Sequence, residues 1–410
     1  MKSKIVIIGS GFAGVWSAFS AQRLIKLRHQ EEAVEVIVIA PEPSLVIRPR
    51  LYEANASALV HPIGPLLKNA GIQFIQGTVE AIHSDEHTVD ARSASGVITS
   101  ISYHRLILAA GSTVLRPQKV KGLEQYGFDV DSLDSAVKLE SHFERLASLQ
   151  LSPARDTIVV CGGGFTGIEL ASELPARLGH MKNLRVVLVE NADEIGPVLG
   201  PGPRPVILEA LKALGVEIKL GSAVTEVGVE GISLSSGEFI ETKTAVWTAG
   251  VRATALTQQI PAVKDALSRL HVDQDLRVPS SKHIFATGDA AHVLADTKDH
   301  YALMSCQHAM LLGRVSGHNA AADLLNESTL PYSQAAYGCC LDLGSWGAVI
   351  TQGWEREVKV TGATAKRVKA YINQELIYPP SDAETAIAMA DPVSYPDGDV
   401  LFEQMFTTVM

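Results

Sequence analysis

The amino-acid sequence predicts an α/β fold made of two doubly wound units, the second inserted into the first, with a smaller α+β region at the C-terminus. Three observations predict this fold. A glycine-rich turn follows a short apolar strand twice, at Gly9–Gly14 and at Gly162–Gly167. The later parts of the two units repeat each other in the same order, and an apolar run at 283–289 can rejoin the first unit. Two such matches in the same order are improbable by chance, so we interpret the chain as two copies of one structural unit.

Each unit opens with a strand, a turn and a helix. In the first unit, the strand Ile5–Ile8 leads into a helix that we expect to reach about Arg28. In the second unit, the strand Thr157–Val160 leads into a helix that we expect to reach about Leu178. Short runs rich in Ile and Val are typical of buried parallel strands, and the longer periodic segments are typical of helices.

The repeat continues beyond these helices and sets the expected domain organisation. Segment 71–79 is echoed by 215–223, and segment 106–111 is echoed by 245–250. Arg116-Pro117 marks one seam between the units. We therefore divide the chain into four segments: 1–117, the first part of the first unit; 118–275, the inserted second unit; 276–330, the rest of the first unit; and 331–410, the C-terminal region.

Both turns have the pattern Gly-x-Gly-x-x-Gly between a predicted strand and a predicted helix, which is the Rossmann-like context for a dinucleotide. The first glycine permits the tight turn, the second lets the backbone approach a pyrophosphate, and the third lets helix and strand pack. The phosphates meet the free N–H groups at the helix start. The alternative is that such turns serve packing alone. The predicted contacts are Gly9, Gly11, Phe12, Ala13 and Gly14 in one unit and Gly162, Gly164, Phe165, Thr166 and Gly167 in the other.

An acidic residue is expected after the next strand, where it would accept hydrogen bonds from the adenosine ribose. Glu190 has this position in the second unit. Its carboxylate would repel a 2′-phosphate, so we expect NADH to be preferred over NADPH. In the first unit the strand ends in Ala40-Pro41-Glu42, so Glu42 is displaced by two residues and is only a candidate.

Composition narrows the class of protein. The chain has 410 residues and a formal net charge of −10, and its basic residues form no long run, so we expect no nucleic-acid partner. The first strand starts directly after Lys4, and no apolar run approaches the roughly 18 residues of a membrane span. We expect a cytoplasmic protein. We also expect no metal site, because the 13 histidines and 4 cysteines lack metal-ligand spacing.

With both turns, Ala109-Ala110-Gly111, Thr248-Ala249-Gly250 and Ala286-Thr287-Gly288-Asp289-Ala290 in place, the chain resembles the two-dinucleotide-binding-domain flavoproteins. Within them it is most similar to type II NADH dehydrogenases and to relatives of the apoptosis-inducing-factor and ferroptosis-suppressor type. The resemblance covers residues 1–330 well and the tail less well. It implies that the first unit binds FAD and that the second binds NAD(P)H.

The resemblance also implies roles for single residues. It implies that Asp289, after Gly288, holds the ribityl or phosphate region of the flavin and that Val79 meets the adenine. It places Arg48 and Pro49 beside the flavin and Glu169 near the nicotinamide. Glu169 could alternatively be an ordinary residue of the helix surface. The remaining cofactor-binding positions are Ala110, Gly111 and Gly250.

A second group of candidates follows the loop after Asp289. There a helix N-terminus could point Gln307 at the flavin carbonyls, with His308 beside it. Glu169 and Gln307 are the candidates for catalytic roles, although hydride transfer between cofactors requires no acid or base. Gln307 and His308 could also be ordinary helix residues. Similarly, Trp346 and Trp354 of the tail could be core residues or a stacking platform for an acceptor.

The chain departs from its relatives at three points. It lacks the redox cysteine pair of the disulfide reductases, so disulfide reduction is not expected. The Ala-Gln-x-Ala-x-x-Gln motif of type II NADH dehydrogenases becomes the segment 306–312, which keeps Gln307 and loses the second glutamine. The tail finishes with the acidic, proline-containing segment 391–399 instead of amphipathic helices. Before it, Thr364–Glu375 is interpreted as a docked helix, with a membrane-surface helix as the alternative.

Three functions are therefore considered. The favoured one is an FAD-dependent oxidoreductase that takes hydride from NADH and passes electrons to a quinone or other small acceptor. The second is a flavoenzyme of specialised metabolism that acts on a dedicated organic substrate. The third is an NADH-binding protein with little turnover. A homodimer and a peripheral contact with the inner membrane surface stay open.

Overall fold

The computed structural model describes residues 2–146, 148–396 and 398–409. The first unit opens with a strand, the first glycine turn and a helix that ends one residue before the expected limit. Up to its seam with the second unit, its elements are β1 (Ser3–Ile8), α1 (Phe12–Leu27), β2 (Val34–Ala40), β3 (Ser44–Val46), β4 (Val60–Pro62), α2 (Gly64–Ala70), β5 (Gln73–Gln76), β6 (Thr78–His83), β7 (Thr88–Arg92), β8 (Ile98–Ser102), β9 (Arg105–Leu108) and β10 (Ser112–Val114).

The second unit repeats this plan. Its glycine turn follows a strand that is buried along its whole length, as expected for the middle of a parallel sheet. The elements are α3 (Leu123–Tyr126), α4 (Leu133–Leu146), α5 (Pro153–Asp156), β11 (Thr157–Cys161), α6 (Phe165–Arg177), β12 (Arg185–Val189), α7 (Arg204–Ala213), β13 (Glu217–Lys219), β14 (Val224–Val227), β15 (Gly231–Leu234), β16 (Phe239–Glu241), β17 (Thr244–Trp247) and β18 (Val251–Ala253).

After β18 the chain returns to the first unit through β19 (Leu270–His271), β20 (Ile284–Ala286), β21 (Ala291–His292) and α8 (Cys306–Leu324). Strand β20 pairs in parallel with β9 and completes a five-stranded sheet of order β20-β9-β1-β2-β5. The second unit has a parallel sheet of order β13-β12-β11-β17. The predicted insertion is therefore confirmed, while the boundaries at 117, 275 and 330 stay predictions.

Antiparallel pieces complete both units. The sheets β6-β7-β8 and β14-β15-β16 occupy equivalent places in the two repeats. The strands β10 and β18 come directly before and after the second unit's core, and they pair with each other in antiparallel register from Ser112 to Val114. The two crossings between the units thus form one two-stranded ribbon.

Helix α8 packs directly on α1, the helix that follows the first glycine turn. A Cβ atom on Gly313 would lie 2.4 Å from the Ala13 carbonyl oxygen, and one on Gly317 would lie 2.1 Å from the Ser17 carbonyl oxygen. Only glycine permits this backbone approach, so the middle of α8 lies directly against α1.

The tail forms an antiparallel sheet of order β22-β23-β24, against which α9 packs. Its elements are β22 (Gly338–Asp342), β23 (Ala348–Gln352), β24 (Glu357–Thr361), α9 (Gly362–Tyr371), a π-helical turn (Ile372–Leu376), α10 (Ala383–Met389) and α11 (Gly398–Val409).

Two expectations for the tail need correction. The predicted helix Thr364–Glu375 starts earlier, at Gly362, and its last part is the π-helical turn. The tail does not finish with the acidic segment 391–399, because α11 begins at Gly398, within this segment, and continues to Val409. It packs apolar side chains such as Met405 against α9 and the sheet. The helix signal was missed because α11 begins inside the acidic segment.

Short 3₁₀ turns connect the larger elements. They are Arg48–Arg50, Ala56–Ala58, Pro197–Leu199, Ala255–Gln259, Gly288–Ala290 and Gly344–Trp346. Two of them carry predicted site residues: Arg48 and Pro49 form the first, and Gly288 and Asp289 belong to the fifth.

Candidate active site

The three glycines of the first turn have two kinds of environment. Gly9 has a φ of +110°, and a Cβ atom on it would lie 2.4 Å from the Ala109 carbonyl oxygen. A Cβ atom on Gly14 would lie 2.0 Å from the Gly9 carbonyl oxygen, whereas one on Gly11 would meet nothing within 4 Å. The outer glycines are therefore required by packing, and the middle one borders open space.

The second turn repeats this geometry. Gly162 has a φ of +121°, and a Cβ atom on it would lie 2.8 Å from the backbone of Ala249. A Cβ atom on Gly167 would lie 1.8 Å from the Gly162 carbonyl oxygen, whereas one on Gly164 would again meet nothing within 4 Å. The glycines at equivalent positions thus have the same environments in both units, and the open space lies at the middle glycine of each turn.

The helix starts at the two turns are suited to an anion. Gly11 and Gly164 are the N-cap residues of α1 and α6, and as glycines they offer no side-chain acceptor to the first N–H groups of these helices. The first N–H groups of a helix need partners, and a phosphate supplies them. The open spaces and the uncapped helix starts fit two dinucleotides.

Glu190 lies beside the second turn, immediately after β12. Its Oε2 accepts a hydrogen bond of 2.7 Å from the Gly163 backbone N–H, and its Oε1 accepts one of 2.8 Å from the Ala192 backbone N–H. These bonds hold a carboxylate at the edge of the turn, where a ribose would lie.

Glu42 has a different setting in the first unit. It is exposed, and its Oε1 accepts a hydrogen bond of 3.1 Å from Gln76 Nε2 at the end of β5. Gln76 was not singled out by sequence reasoning, because it lies 34 residues further along the chain. The amide and the carboxylate together form the polar edge of the first turn.

Arg48 connects the turn at Asp289 to the crossing between the units. Its Nη1 donates to Ser112 Oγ at 2.8 Å and to Asp289 Oδ2 at 3.3 Å, and its Nη2 donates to Asp131. Ser112 Oγ also donates to Asp289 Oδ2 at 2.6 Å. Burial raises the pKa of Asp131 despite the opposing effect of Arg48. In the sequence, Ser112 could have been found from its position directly after the predicted site residue Gly111. No local pattern indicates Asp131.

Glu169 is not an ordinary helix-surface residue. Its side chain is only 3% exposed and forms an ion pair of 2.8 Å with Lys369 of α9. Its Oε1 also accepts a hydrogen bond of 3.0 Å from the Asp342 backbone N–H. Burial raises the pKa of Glu169 to about 7, although Lys369 acts in the opposite direction. The second unit and the tail therefore share a buried ionisable carboxyl group.

At the start of α8, the side chains of Gln307 and His308 point in different directions. Gln307 is partly exposed and lines a cavity of about 890 Å³ between α8 and the tail. His308 points into the protein: it is fully buried, and its Nδ1 is 3.0 Å from Ser305 Oγ. Burial lowers the pKa of His308 to about 3. Gln307 keeps its position as a ligand-facing candidate, and His308 is a core residue.

The cavity wall combines residues from three parts of the tail with one face of α8. From α8 it takes Gln307, Leu311 and Val315, which are spaced four residues apart. Tyr337 lies before β22, and Tyr395 lies before α11. Nothing local in the sequence relates these tyrosines to Gln307, so the cavity was not predicted.

The remaining predicted positions are distributed around the two turns. Val79 lies on β6 with its side chain buried in the sheet's core. Gly288 approaches α1 closely, because a Cβ atom on it would lie 2.8 Å from Ala13 Cβ. Gly111 and Gly250 both have positive φ angles and border open space. Phe12 and Ala13 are buried, and Thr166 is exposed.

Two parallel-sheet units, each with a glycine turn that is open to an anion, are the architecture of a two-dinucleotide oxidoreductase. A cavity between α8 of the first unit and the tail adds a place for a further small molecule. A family model for the pyridine nucleotide-disulphide oxidoreductases matches residues 3–313. The chain belongs to this family and is an NADH dehydrogenase-like flavoprotein oxidoreductase, as the resemblance implied.

Individual proteins support this family. The chain is 43% identical over 395 residues to the NADH dehydrogenase-like protein Rv1812c of Mycobacterium tuberculosis, covering 95% of this chain and 97% of that protein. It is 25% identical to a type II NADH:quinone oxidoreductase of Staphylococcus aureus, covering 92% and 96%. The structure of NDH2 from Plasmodium falciparum in complex with NADH shares the fold, with a TM-score of 0.74, 14% identity and coverage of 95% and 97%.

The described residues contain no helix that is long and apolar enough to cross a bilayer.

Proposed function

We propose that this protein oxidises NADH with a bound FAD and reduces a quinone or another small acceptor. The observation that carries the proposal is the pair of glycine turns with equal geometry, of which only the second has a carboxylate fixed beside it by the turn's own backbone. In the balanced reaction, NADH, a proton and the oxidised acceptor are converted to NAD⁺ and the two-electron-reduced acceptor. The chemistry that FAD supplies when bound is acceptance of the hydride and release of its two electrons.

The first turn is the proposed site for FAD. The space at Gly11 and the uncapped start of α1 would take the pyrophosphate. Asp289 would accept hydrogen bonds from the ribityl hydroxyls, with Ser112 and Arg48 fixing its orientation. Glu42, held by Gln76, would face the adenosine ribose.

The second turn is the proposed site for NADH. The space at Gly164 and the start of α6 would take the pyrophosphate, and Glu190 would accept hydrogen bonds from the ribose hydroxyls. A phosphate on the same ribose would meet this carboxylate at close range. Because like charges repel strongly in a partly dry site, NADH is favoured over NADPH.

The cavity at Gln307 is the proposed site for the acceptor. A Cβ atom on Gly288, next to Asp289, would lie 3.7 Å from Ala309 Cβ at the start of α8. Gln307, two residues before Ala309, lines the cavity, so the cavity would open near the proposed flavin site. The volume of about 890 Å³ is in the range of small-molecule sites. The relative from S. aureus is named as a quinone reductase, which supports a quinone as one acceptor class.

The test is an anaerobic titration of the purified yellow protein with NADH, followed by an acceptor. Stoichiometric loss of the flavin absorbance near 450 nm, and its return on addition of a quinone, would support the proposal. A flavin that NADH leaves oxidised would refute it. NADPH at the same concentration is the matched control, and we expect it to bleach the flavin far more slowly.

A further inference from the structure

The wall of the cavity at Gln307 contains two tyrosines that are each backed by a buried guanidinium group. The Arg356 Cζ lies 4.3 Å from the ring centroid of Tyr337, and the Arg314 Cζ lies 4.5 Å from the ring centroid of Tyr395. Both arginines are buried, with exposures of 7% and 2%. Two positive charges therefore lie against rings of the cavity wall, while neither guanidinium group itself lines the cavity.

Neither arginine has an acidic partner within ion-pair distance among the described residues. Arg314 donates from Nε to the Met389 carbonyl and from Nη1 to the Met310 carbonyl, both at 2.9 Å, and lies over the ring of Trp16. Burial lowers the pKa of Arg314 to about 10, so it stays charged at neutral pH. Arg356 is the less satisfied of the two, because its buried Nη1 has no hydrogen-bond partner.

A buried cation without a counter-ion is costly, because hydrogen bonds to carbonyl groups and contacts with rings replace its lost hydration only in part. Two such cations beside one cavity are therefore unusual, and in a chain with a net charge of −10 they are not explained by general basicity. An anion in the cavity would offset the cost.

The acids that line the cavity lie at its solvent side. Glu357 has a side chain that is 70% exposed, and it pairs with Lys359, also in the wall, at 2.8 Å. Asp399 is exposed and accepts a hydrogen bond from Gln352. These groups are screened by water, so they oppose the two buried arginines only weakly. An anion in the inner part of the cavity would therefore be attracted by the arginines more strongly than it is repelled by these acids.

We propose that the acceptor bound in this cavity is a flat aromatic compound with a negative charge, such as a ring system bearing a carboxylate or an ionised hydroxyl. The inference rests on the proposed function, because it names the class of acceptor. The ring of Tyr395, which is partly exposed, supplies a stacking surface, and the guanidinium groups of Arg314 and Arg356 supply the attraction for the charge. The ring of Tyr337 is already stacked on Trp354, with 5.1 Å between the ring centroids, so it forms part of the wall and not a second stacking surface.

Two redox-inactive probes test the charge preference. In 2-naphthoate and 2-naphthamide the ring is the same and the substituents are similar in size, but only the first is anionic at neutral pH. Their affinities for the flavin-loaded protein are measured by titration calorimetry in saturating NAD⁺, which keeps both probes out of the nicotinamide site. We expect 2-naphthoate to bind about tenfold more tightly, or better. Equal affinities, tighter binding of the amide or no binding of either probe would overturn the inference.

Variants then test which residues cause the preference for the anionic probe. Arg356→Met and Arg314→Met should each reduce the preference for 2-naphthoate several-fold, whereas Arg185→Met, the same change at an exposed position of β12, should leave it unchanged. An undiminished preference in folded Arg356→Met and Arg314→Met would contradict the assignment. If Arg314→Met does not fold, Arg356→Met and the wild-type comparison still decide. Flavin that NADH cannot bleach, with the probe preference intact, would defeat only the proposed function.

Discussion

Lys369 of the tail and Glu169 of the second unit form an ion pair of 2.8 Å with side-chain exposures of 6% and 3%. The pair connects α9 to the helix that follows the second glycine turn. Lys369 also donates to the Cys340 carbonyl at 3.1 Å, so the same ammonium group holds β22. The tail is therefore tied to the dinucleotide-binding part of the chain by a charge pair that water scarcely reaches.

Removing one member of this pair should destabilise the protein strongly. Lys369→Met leaves the Glu169 carboxyl group buried without its cation, so the group must stay charged and unpaired or take up a proton. At a pH well above the Glu169 pKa of about 7, where both are costly, we expect a loss of about 3 to 5 kcal/mol in the free energy of unfolding. The double variant Lys369→Met, Glu169→Gln should lose clearly less, because no unpaired charge remains. Urea unfolding of the wild type and of the single and double variants measures these losses in the free energy of unfolding. A double variant as unstable as Lys369→Met would show that the charge itself is not the cause.

His308 should make stability depend on pH. Burial lowers its pKa from 6.5 to about 3, so the folded state favours the neutral ring. Its contribution is complete above pH 6.5 and is lost as the pH falls from 6.5 toward 3, at up to about 1.4 kcal/mol per pH unit. His308→Asn should flatten this part of the stability profile.

The control for this prediction is His29→Asn, at an exposed position. Its urea midpoint between pH 7.5 and pH 4 should follow the wild type. If His308→Asn and the wild type lose stability in parallel over this range, the buried imidazole does not account for the pH dependence.

Glu190 should determine the choice of nicotinamide dinucleotide. Glu190→Arg replaces a carboxylate with a guanidinium group that can bind a 2′-phosphate, so the ratio of kcat/KM for NADPH to that for NADH should rise at least about tenfold. Glu209→Arg, the same charge reversal on the exposed side of α7, is the control. An unchanged ratio in Glu190→Arg would exclude Glu190 as the ribose ligand.

The sequence predicted the features that depend on short-range patterns. The two glycine turns, their strands and helices, and the insertion were correctly predicted because Gly9, Gly14 and their counterparts are required by the local packing of strand and helix. The position of Glu190 after β12 was likewise predicted from the repeat, and its role toward the ribose stays a prediction.

The contacts between distant segments could not be predicted. Arg48 meets Asp131 across 83 residues, and Glu169 meets Lys369 across 200, with no local pattern to indicate either pair. A carboxylate near a helix start is usually exposed, and this is why a surface position was considered for Glu169. That alternative was wrong, because the tail buries the side chain against Lys369. The cavity was missed for the same reason, since its tyrosines come from loops.

The central claim, that each glycine turn holds its own dinucleotide, is tested most directly by a pair of matched variants. Neither Gly11 nor Gly164 has an atom within 4 Å of its absent Cβ, so valine at either position fills ligand space and leaves the packing intact. We measure bound FAD after purification and anaerobic bleaching by NADH in Gly11→Val and Gly164→Val. We expect Gly11→Val to lose its FAD, and Gly164→Val to stay yellow but to resist bleaching. Full FAD content in Gly11→Val, or normal bleaching in Gly164→Val, would contradict the account.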